Sequence, residues 1–217
     1  AIGTTIQTAP NRIVLSSEAG AMVQGDGSNP ADAAGLKSGD FIQAIDGRTI
    51  RDYSDLQEVL ASNPGKALSV EVLRDGAAQN LVMTPRLDPN SGAGVIGVYA
   101  WVDPVISSVK DTSPAAIADL RPGDTITEVN GKAIRNTVDL MEAFKSANGP
   151  VNLTVMRDAR AVSTTLVSKS LEEAGIGFVG VIRTDKASSL PDALSKGFKE
   201  TISTFSLTIK SIGLLFR

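Results

Sequence analysis

One supersecondary pattern occurs twice in this chain, and a fold must use it twice to satisfy the sequence. Pro30-Ala31-Asp32-Ala33-Ala34-Gly35-Leu36-Lys37-Ser38-Gly39-Asp40 returns as Pro114-Ala115-Ala116-Ile117-Ala118-Asp119-Leu120-Arg121-Pro122-Gly123-Asp124, an offset of 84 residues. The register holds through Ile42 and Ile126, Gly47 and Gly131, Ile50 and Ile134, and Leu56 and Leu140, then slips to 83 at Arg74-Asp75 and Arg157-Asp158. A fixed period of this size marks a duplicated structural unit. At 217 residues there is room for two domains of about 100 residues.

Each unit reads as a strand, a short helix opening at the Pro, a Gly-Asp turn, and an alternating strand, Phe41–Ile45 or Thr125–Val129. Asp46-Gly47 and Asn130-Gly131 follow, the strongest short-range hairpin signals. Helices are expected near 54–62, capped by Ser54, and near 137–147, capped by Asn136. A further alternating strand follows, Leu68–Leu73 or Val151–Met156, so each unit is a small, strand-dominated α+β domain. Asp40 and Asp124 are expected to bond backbone N–H groups of their own turns.

The residue inventory closes several routes to function. With no His, the Ser-His-Asp, Cys-His and H-E-x-x-H arrangements cannot be built, and no metal ligation by His or Cys is available. A net charge of −3 offers no basic field for a polyanion, and six Phe, two Tyr and one Trp offer little for base stacking, so nucleic acid is not an expected partner. No run of 18 apolar residues occurs and the start lacks the regions of a signal peptide, which leaves a soluble chain or an excised segment.

Gly92-Ala93-Gly94-Val95-Ile96-Gly97 and Gly175-Ile176-Gly177-Phe178-Val179-Gly180 both satisfy G-x-G-x-x-G. A dinucleotide site requires a helix next, to bring its N-terminus to the pyrophosphate. Val98-Tyr99-Ala100-Trp101-Val102 and Val181-Ile182-Arg183 read as strands instead, so no nucleotide is expected. The two copies align at an offset of 83, and none precedes the first repeat; the Gly-rich strand therefore closes each unit rather than opening it.

The succession Pro-Ala-x-x-Ala-x-Leu-x-x-Gly-Asp-x-Ile, then Asn/Asp-Gly, then a Leu-bearing helix, resembles the PDZ domains of bacterial envelope proteases. Closure by the Gly-rich strand is the order of their circularly permuted form. The resemblance implies two tandem, permuted, PDZ-like β-sandwich or barrel domains at 20–102 and 103–184, after a lead-in at 1–19. It also implies a peptide groove in each. The carboxylate loops and edge strands are Gly94, Val95, Ile96, Gly97 and Val98, and Gly177, Phe178, Val179, Gly180 and Val181. The facing helix walls are Tyr53, Gln57 and Leu60, and Thr137, Met141 and Phe144, with Leu56 and Leu140 turned to the core.

Beyond Pro191, Leu194, Phe198, Ile202, Phe205, Ile209, Ile212 and Phe216 recur at intervals of three and four, one apolar face of a helix within 185–217. Five basic and two acidic residues from Lys186 to Arg217 give this end +3. The face calls for a cover: the PDZ units, another chain, or, favoured by charge, an anionic membrane surface.

Gly177-Phe178-Val179-Gly180-Val181, followed by Leu190-Pro191-Asp192-Ala193-Leu194 and the tail helix, is similar to the extracytoplasmic region of site-2 intramembrane metalloproteases of the regulator-of-sigma-E type. That resemblance implies a periplasmic region at the inner membrane, without cofactor of its own, whose parent holds zinc in membrane helices. It would gate a membrane-anchored anti-sigma factor already trimmed by a first protease. A free-standing periplasmic PDZ adaptor and the PDZ end of a high-temperature-requirement serine protease are the competing readings. Sedimentation with anionic liposomes is expected to retain the full chain and to lose a chain ending at Lys186; equal retention of the two would place the apolar face on protein.

Overall fold

The computed structural model describes residues 3–20 and 29–186, which fall into two compact units, one of them the body Ala9–Gly180. Strand β1 (Gly3–Thr8) lies outside the body. The first repeat runs β2 (Ile13–Leu15), α1 (Pro30–Ala33), β3 (Phe41–Ile45), β4 (Arg48–Thr49), α2 (Tyr53–Ala61), β5 (Leu68–Arg74), β6 (Ala77–Met83), β7 (Arg86–Leu87), β8 (Gly94–Val95) and β9 (Val98–Ala100). The second runs β10 (Ile106–Val109), α3 (Pro114–Ile117), β11 (Thr125–Val129), β12 (Lys132–Ala133), α4 (Thr137–Lys145), β13 (Val151–Arg157), β14 (Arg160–Leu166), α5 (Leu171–Ala174) and β15 (Ile176–Phe178). Strand β16 (Val181–Lys186) then pairs antiparallel with β1, Thr8 opposite Val181 and Gly3 opposite Lys186. The helix expected in 185–217 lies outside the described residues.

Each repeat holds a four-stranded antiparallel sheet, β4-β3-β5-β6 in the first and β12-β11-β13-β14 in the second. The Asp-Gly and Asn-Gly turns adopt the expected left-handed backbone, with φ of 47° and 76° at Asp46 and Gly47 and 49° and 79° at Asn130 and Gly131. Their side chains also accept the Ser69 and Asn152 N–H groups, each at 2.8 Å, tying turn to neighbouring strand. Helix α4 is capped by Asn136 as expected, but α2 begins one residue earlier than expected. Its cap is Asp52, which accepts the Asp55 N–H at 3.0 Å, and Ser54 sits inside the helix. A carboxylate at this place holds the orphan N–H groups and favours the positive end of the helix.

Two separate cores result. One gathers Ile13, Ile42, Leu56, Val70, Met83 and Ile96; the other Ile106, Ile126, Leu140, Val155 and Leu166. Strand β2, inside the stretch read as a lead-in, contributes Ile13 to the first core and exchanges backbone bonds with the Gly-Asp turn, Ile13 N–H to Asp40 O at 3.0 Å and Gly39 N–H to Ile13 O at 2.8 Å. In the second repeat Ile106 makes the matching pair with Asp124 and Gly123, both at 2.8 Å. A third cluster joins the repeats: Val14, Ala19, Trp101 and Val138, with Tyr99 against it. Over Trp101 lies the Arg12 guanidinium, 3.9 Å from a ring centroid and 5.3 Å from that of Phe41.

The Gly-Asp turns carry more than the sequence suggested. Asp40 Oδ2 accepts the Lys37 N–H and Asp124 Oδ2 the Arg121 N–H, both at 2.9 Å, as expected of turn carboxylates. Each is also gripped by an arginine from an inner strand of its sheet: Arg74 donates twice to Asp40 at 2.7 Å and once to Gly35 O, and Arg157 donates twice to Asp124 at 2.7 Å and once to Asp119 O. Asp40 and Asp124 are both 1% exposed, so these pairs lock α1 and α3 to their sheets by desolvated, bidentate bonds.

Replacing Asp40 by Asn is expected to cost about 2 kcal/mol at pH 7, read by urea unfolding. For Asp124, the Arg157 bond holds the carboxyl below its ordinary range. A carboxyl depressed on folding stabilises above its unfolded value, near 4, and loses that contribution as pH falls through the folded value. The stability gap between the parent chain and Asp124→Asn should therefore narrow as pH drops below about 4; a gap independent of pH would overturn this account.

Candidate functional site: two strand-and-helix clefts

The candidate site in each repeat is built by a strand that comes from the end of that repeat and lies on its first strand. In the first repeat β9 pairs with β2, Val98 opposite Leu15 and Ala100 opposite Ile13. In the second β15 pairs with β10, Ile176 opposite Val109 and Phe178 opposite Ile106. A left-handed glycine turns the chain into each strand, Gly97 at φ 77° and Gly175 at φ 73°. Both are pressed against a helix cap. A β-carbon at Gly97 would strike the Asn29 side chain, and one at Gly175 would lie 2.6 Å from Ser113 Cβ, so no other residue fits without displacing the start of α1 or α3.

These contacts define a register that the sequence alignment of the two Gly-rich segments does not show. Aligned by sequence, Gly97 corresponds to Gly180 and Val98 to Val181. Aligned by structure, Gly97 corresponds to Gly175: Gly97 O accepts the Ser16 N–H and Gly175 O the Lys110 N–H, both at 2.9 Å. Likewise Trp101 N–H donates to Arg12 O and Val179 N–H to Val105 O, at 2.8 and 3.3 Å. The cause is the length of the return path. From Met83 to Gly97 the chain makes the β7–β8 hairpin, whereas from Leu166 to Gly175 it is five residues shorter and makes only α5, capped by the Ser170 hydroxyl.

The facing walls are α2 and α4. In antiparallel pairing, alternate residues point their N–H and C=O toward the partner strand. Gly97 and Trp101 bond β2 and its approach, so Val98 and Ala100 present their backbone groups to the opposite edge; by the same count Ile176 and Phe178 turn theirs away from β10 in the second repeat. Tyr53, at the first position of α2, crosses to that edge and donates its hydroxyl to Val98 O at 2.8 Å. Burial, with Tyr99 adding to it, pushes the Tyr53 phenol well above its ordinary value, so it stays a donor through the physiological range.

The remaining expected residues divide as follows. Gln57 and Met141 are exposed on α2 and α4, Met141 by 38%. Thr137 is half-buried, its N–H donating to Val102 O at 2.9 Å. Leu60 and Phe144, expected along the grooves, are 5% and 4% exposed and belong to the cores, together with the expected core residues Leu56 and Leu140. A β-carbon on Gly94 would meet the Leu60 carbonyl, so β8 lies hard against the end of α2. Val95 is half-buried and Ile96 is in the first core. Gly177 and Phe178 are in β15, Val179 is 52% exposed, Gly180 follows, and Val181 opens β16 in the other unit. Gly175 and Ile176 take the places of Gly97 and Val98, and the signal for Gly175 was the cap at Ser113, matched by Asn29.

Alanine at Gly97 and at Gly175 is expected to lower stability by about 1–2 kcal/mol or more, since a left-handed backbone and a blocked β-carbon position oppose it. Gly180→Ala should change the unfolding midpoint much less than Gly175→Ala; the reverse order would restore the sequence register.

Comparison with known proteins agrees with this architecture. Residues 2–84 and residues 105–157 each match the PDZ domain family. A Treponema pallidum (strain Nichols) protein provisionally named as a zinc metalloprotease is 31% identical over 100% of this chain and 48% of its own length. A similarly named Pasteurella multocida (strain Pm70) protein is 29% identical over 81% of the chain and 43% of its own length. A Pseudomonas fluorescens protein, provisionally named a DegP-like periplasmic serine endoprotease, is 34% identical over 65% of the chain and 35% of its own length. The chain thus spans about half the length, or less, of these curated relatives. It carries two PDZ domains in tandem, and along its whole length it is similar to part of a protein provisionally named as a zinc metalloprotease.

Proposed function

We propose that this chain is the substrate-screening region of a site-2 intramembrane zinc metalloprotease, facing the periplasm at the bacterial inner membrane. Its clefts meet an anti-sigma factor, membrane-anchored and already trimmed by a first protease. The observation that carries the reading is the pair of edge strands, Val98–Ala100 and Ile176–Phe178, each with alternate backbone groups turned away from its partner strand, on the side from which Tyr53 of α2 reaches Val98 O in the first repeat. An extended segment recognised by such a cleft adds a strand and bonds main chain to main chain. Similarity to two proteins provisionally named as zinc metalloproteases, over the whole chain in one case and 81% of it in the other, supports the parent enzyme.

Chemistry is assigned to other parts of that parent. The chain has no His or Cys, and among the described residues no group of three His, Cys, Asp or Glu is placed to hold a metal. These residues do not fit a zinc ion. The ribbon of β1 and β16 supports an inserted region: Gly3 lies opposite Lys186, so the chain enters and leaves the described part side by side. No helix among the described residues is long and apolar enough to cross a membrane. The expected apolar tail face at Leu194 to Phe216 is the part assigned to the membrane surface. The match to a protein provisionally named a DegP-like periplasmic serine endoprotease favours, as the second reading, the PDZ region of a high-temperature-requirement serine protease.

Calorimetry with one extended peptide, its C-terminus free or amidated, tests recognition. A cleft that adds one strand and fills a pocket is expected to bind the free acid at about micromolar Kd, roughly −8 kcal/mol, and the amide about tenfold more weakly. Met141→Asp should weaken the free acid further. Equal weak heats for both peptides and both proteins would remove recognition from the reading and leave filtering by bulk.

A further inference from the structure

The two clefts are built on equivalent residues and differ in who occupies the strand edge. Tyr53 and Thr137 stand at the same place: each opens its helix, and their N–H groups donate to Ala9 O and Val102 O, both at 2.9 Å. From there the Tyr53 ring packs on the first core and reaches the opposite wall, where its hydroxyl takes Val98 O at 2.8 Å. Val98 O is one of the acceptors that an added strand must use, because Val98 turns its backbone away from β2. The ring that delivers the bond lies across the path between α2 and β9. Thr137 carries its hydroxyl on the β-carbon and cannot span the distance that a phenol ring covers, so it makes no such bridge to Ile176, the counterpart of Val98.

We propose that Tyr53 is a specificity-determining latch, which closes the first cleft to an added strand and leaves the acceptance of extended segments to the second. This rests on the peptide-cleft reading above. A segment entering the first cleft must break the Tyr53–Val98 bond and move the ring before it forms its own bonds. If only the unlatched fraction is competent, apparent affinity falls by that fraction. One internal hydrogen bond at its usual net strength sets a floor of about 2–10-fold, and displacement of the ring adds to it.

The test uses the whole chain, labelled for amide NMR, and a ten-residue peptide with a free C-terminal Leu. Four proteins are compared: the parent, Tyr53→Phe, Tyr53→Thr and Thr137→Tyr. In the parent, shifts should saturate at Ile176–Phe178 and stay small at Val98–Ala100. Tyr53→Phe, which removes the hydroxyl and keeps the packing ring, should bind peptide at Val98–Ala100 about 2–10-fold more tightly than the parent; Tyr53→Thr should gain more, and Thr137→Tyr should weaken the second cleft. Parent shifts at Val98–Ala100 as strong as those of Tyr53→Phe would overturn the latch while upholding the clefts. No shift at either strand in any of the four proteins would overturn the cleft reading itself, and the latch with it.

Discussion

The return of the chain onto the first strand of its own repeat, through a glycine that alone tolerates the turn, is the constraint from which the rest follows. Gly97 and Gly175 hold left-handed backbone against the caps Asn29 and Ser113, and only in that geometry can β9 lie on β2 and β15 on β10. Once the strand is seated, its alternate residues must offer their backbone groups to the far side. That side faces a helix, and a cleft results. The candidate site is therefore a consequence of closing the fold, since the groups it offers are those the fold leaves over.

The clefts need rigid walls, and buried charge provides them. Asp40 and Asp124 bind a turn N–H with one oxygen and a strand arginine with both, so the short helices α1 and α3 are held to the sheets although four residues cannot sustain a helix alone. The helices α1 and α3 also begin at the caps that confine Gly97 and Gly175, so each short helix touches both the ion pair and the turn into the edge strand. Repeat for repeat, the arrangement is the same; what differs is the path from sheet to edge strand and the residue that opens the facing helix.

The junction also shapes the second cleft. Val138 on α4 is buried with Val14, Ala19 and Trp101 of the first repeat, and the Thr137 N–H is taken by Val102 O. The helix that forms one wall of the second cleft is thus anchored by residues outside its own repeat. Arg12, stacked on Trp101 and donating to Gly39 O at 3.2 Å, connects that anchor to the first Gly-Asp turn.

Local pattern determined much of this protein. Hairpin turns at Asp46-Gly47 and Asn130-Gly131, strands by alternation, helices by capped periodicity and the duplication itself were legible because each is decided by neighbours within a few residues. The absence of His settled what chemistry the chain cannot do, since no fold can supply a missing imidazole. Tertiary structure decided the rest. Arg74 and Arg157 could be seen to repeat, yet their partners lie more than thirty residues away. Gly175, not Gly180, became the counterpart of Gly97 because a return path shorter by five residues moved the strand along its partner. Leu60 and Phe144 went to the cores, and Tyr53 became a bridge between walls rather than the lining of one. Such outcomes depend on distances between elements that come together only when the chain closes, and periodicity along a single element carries no record of them.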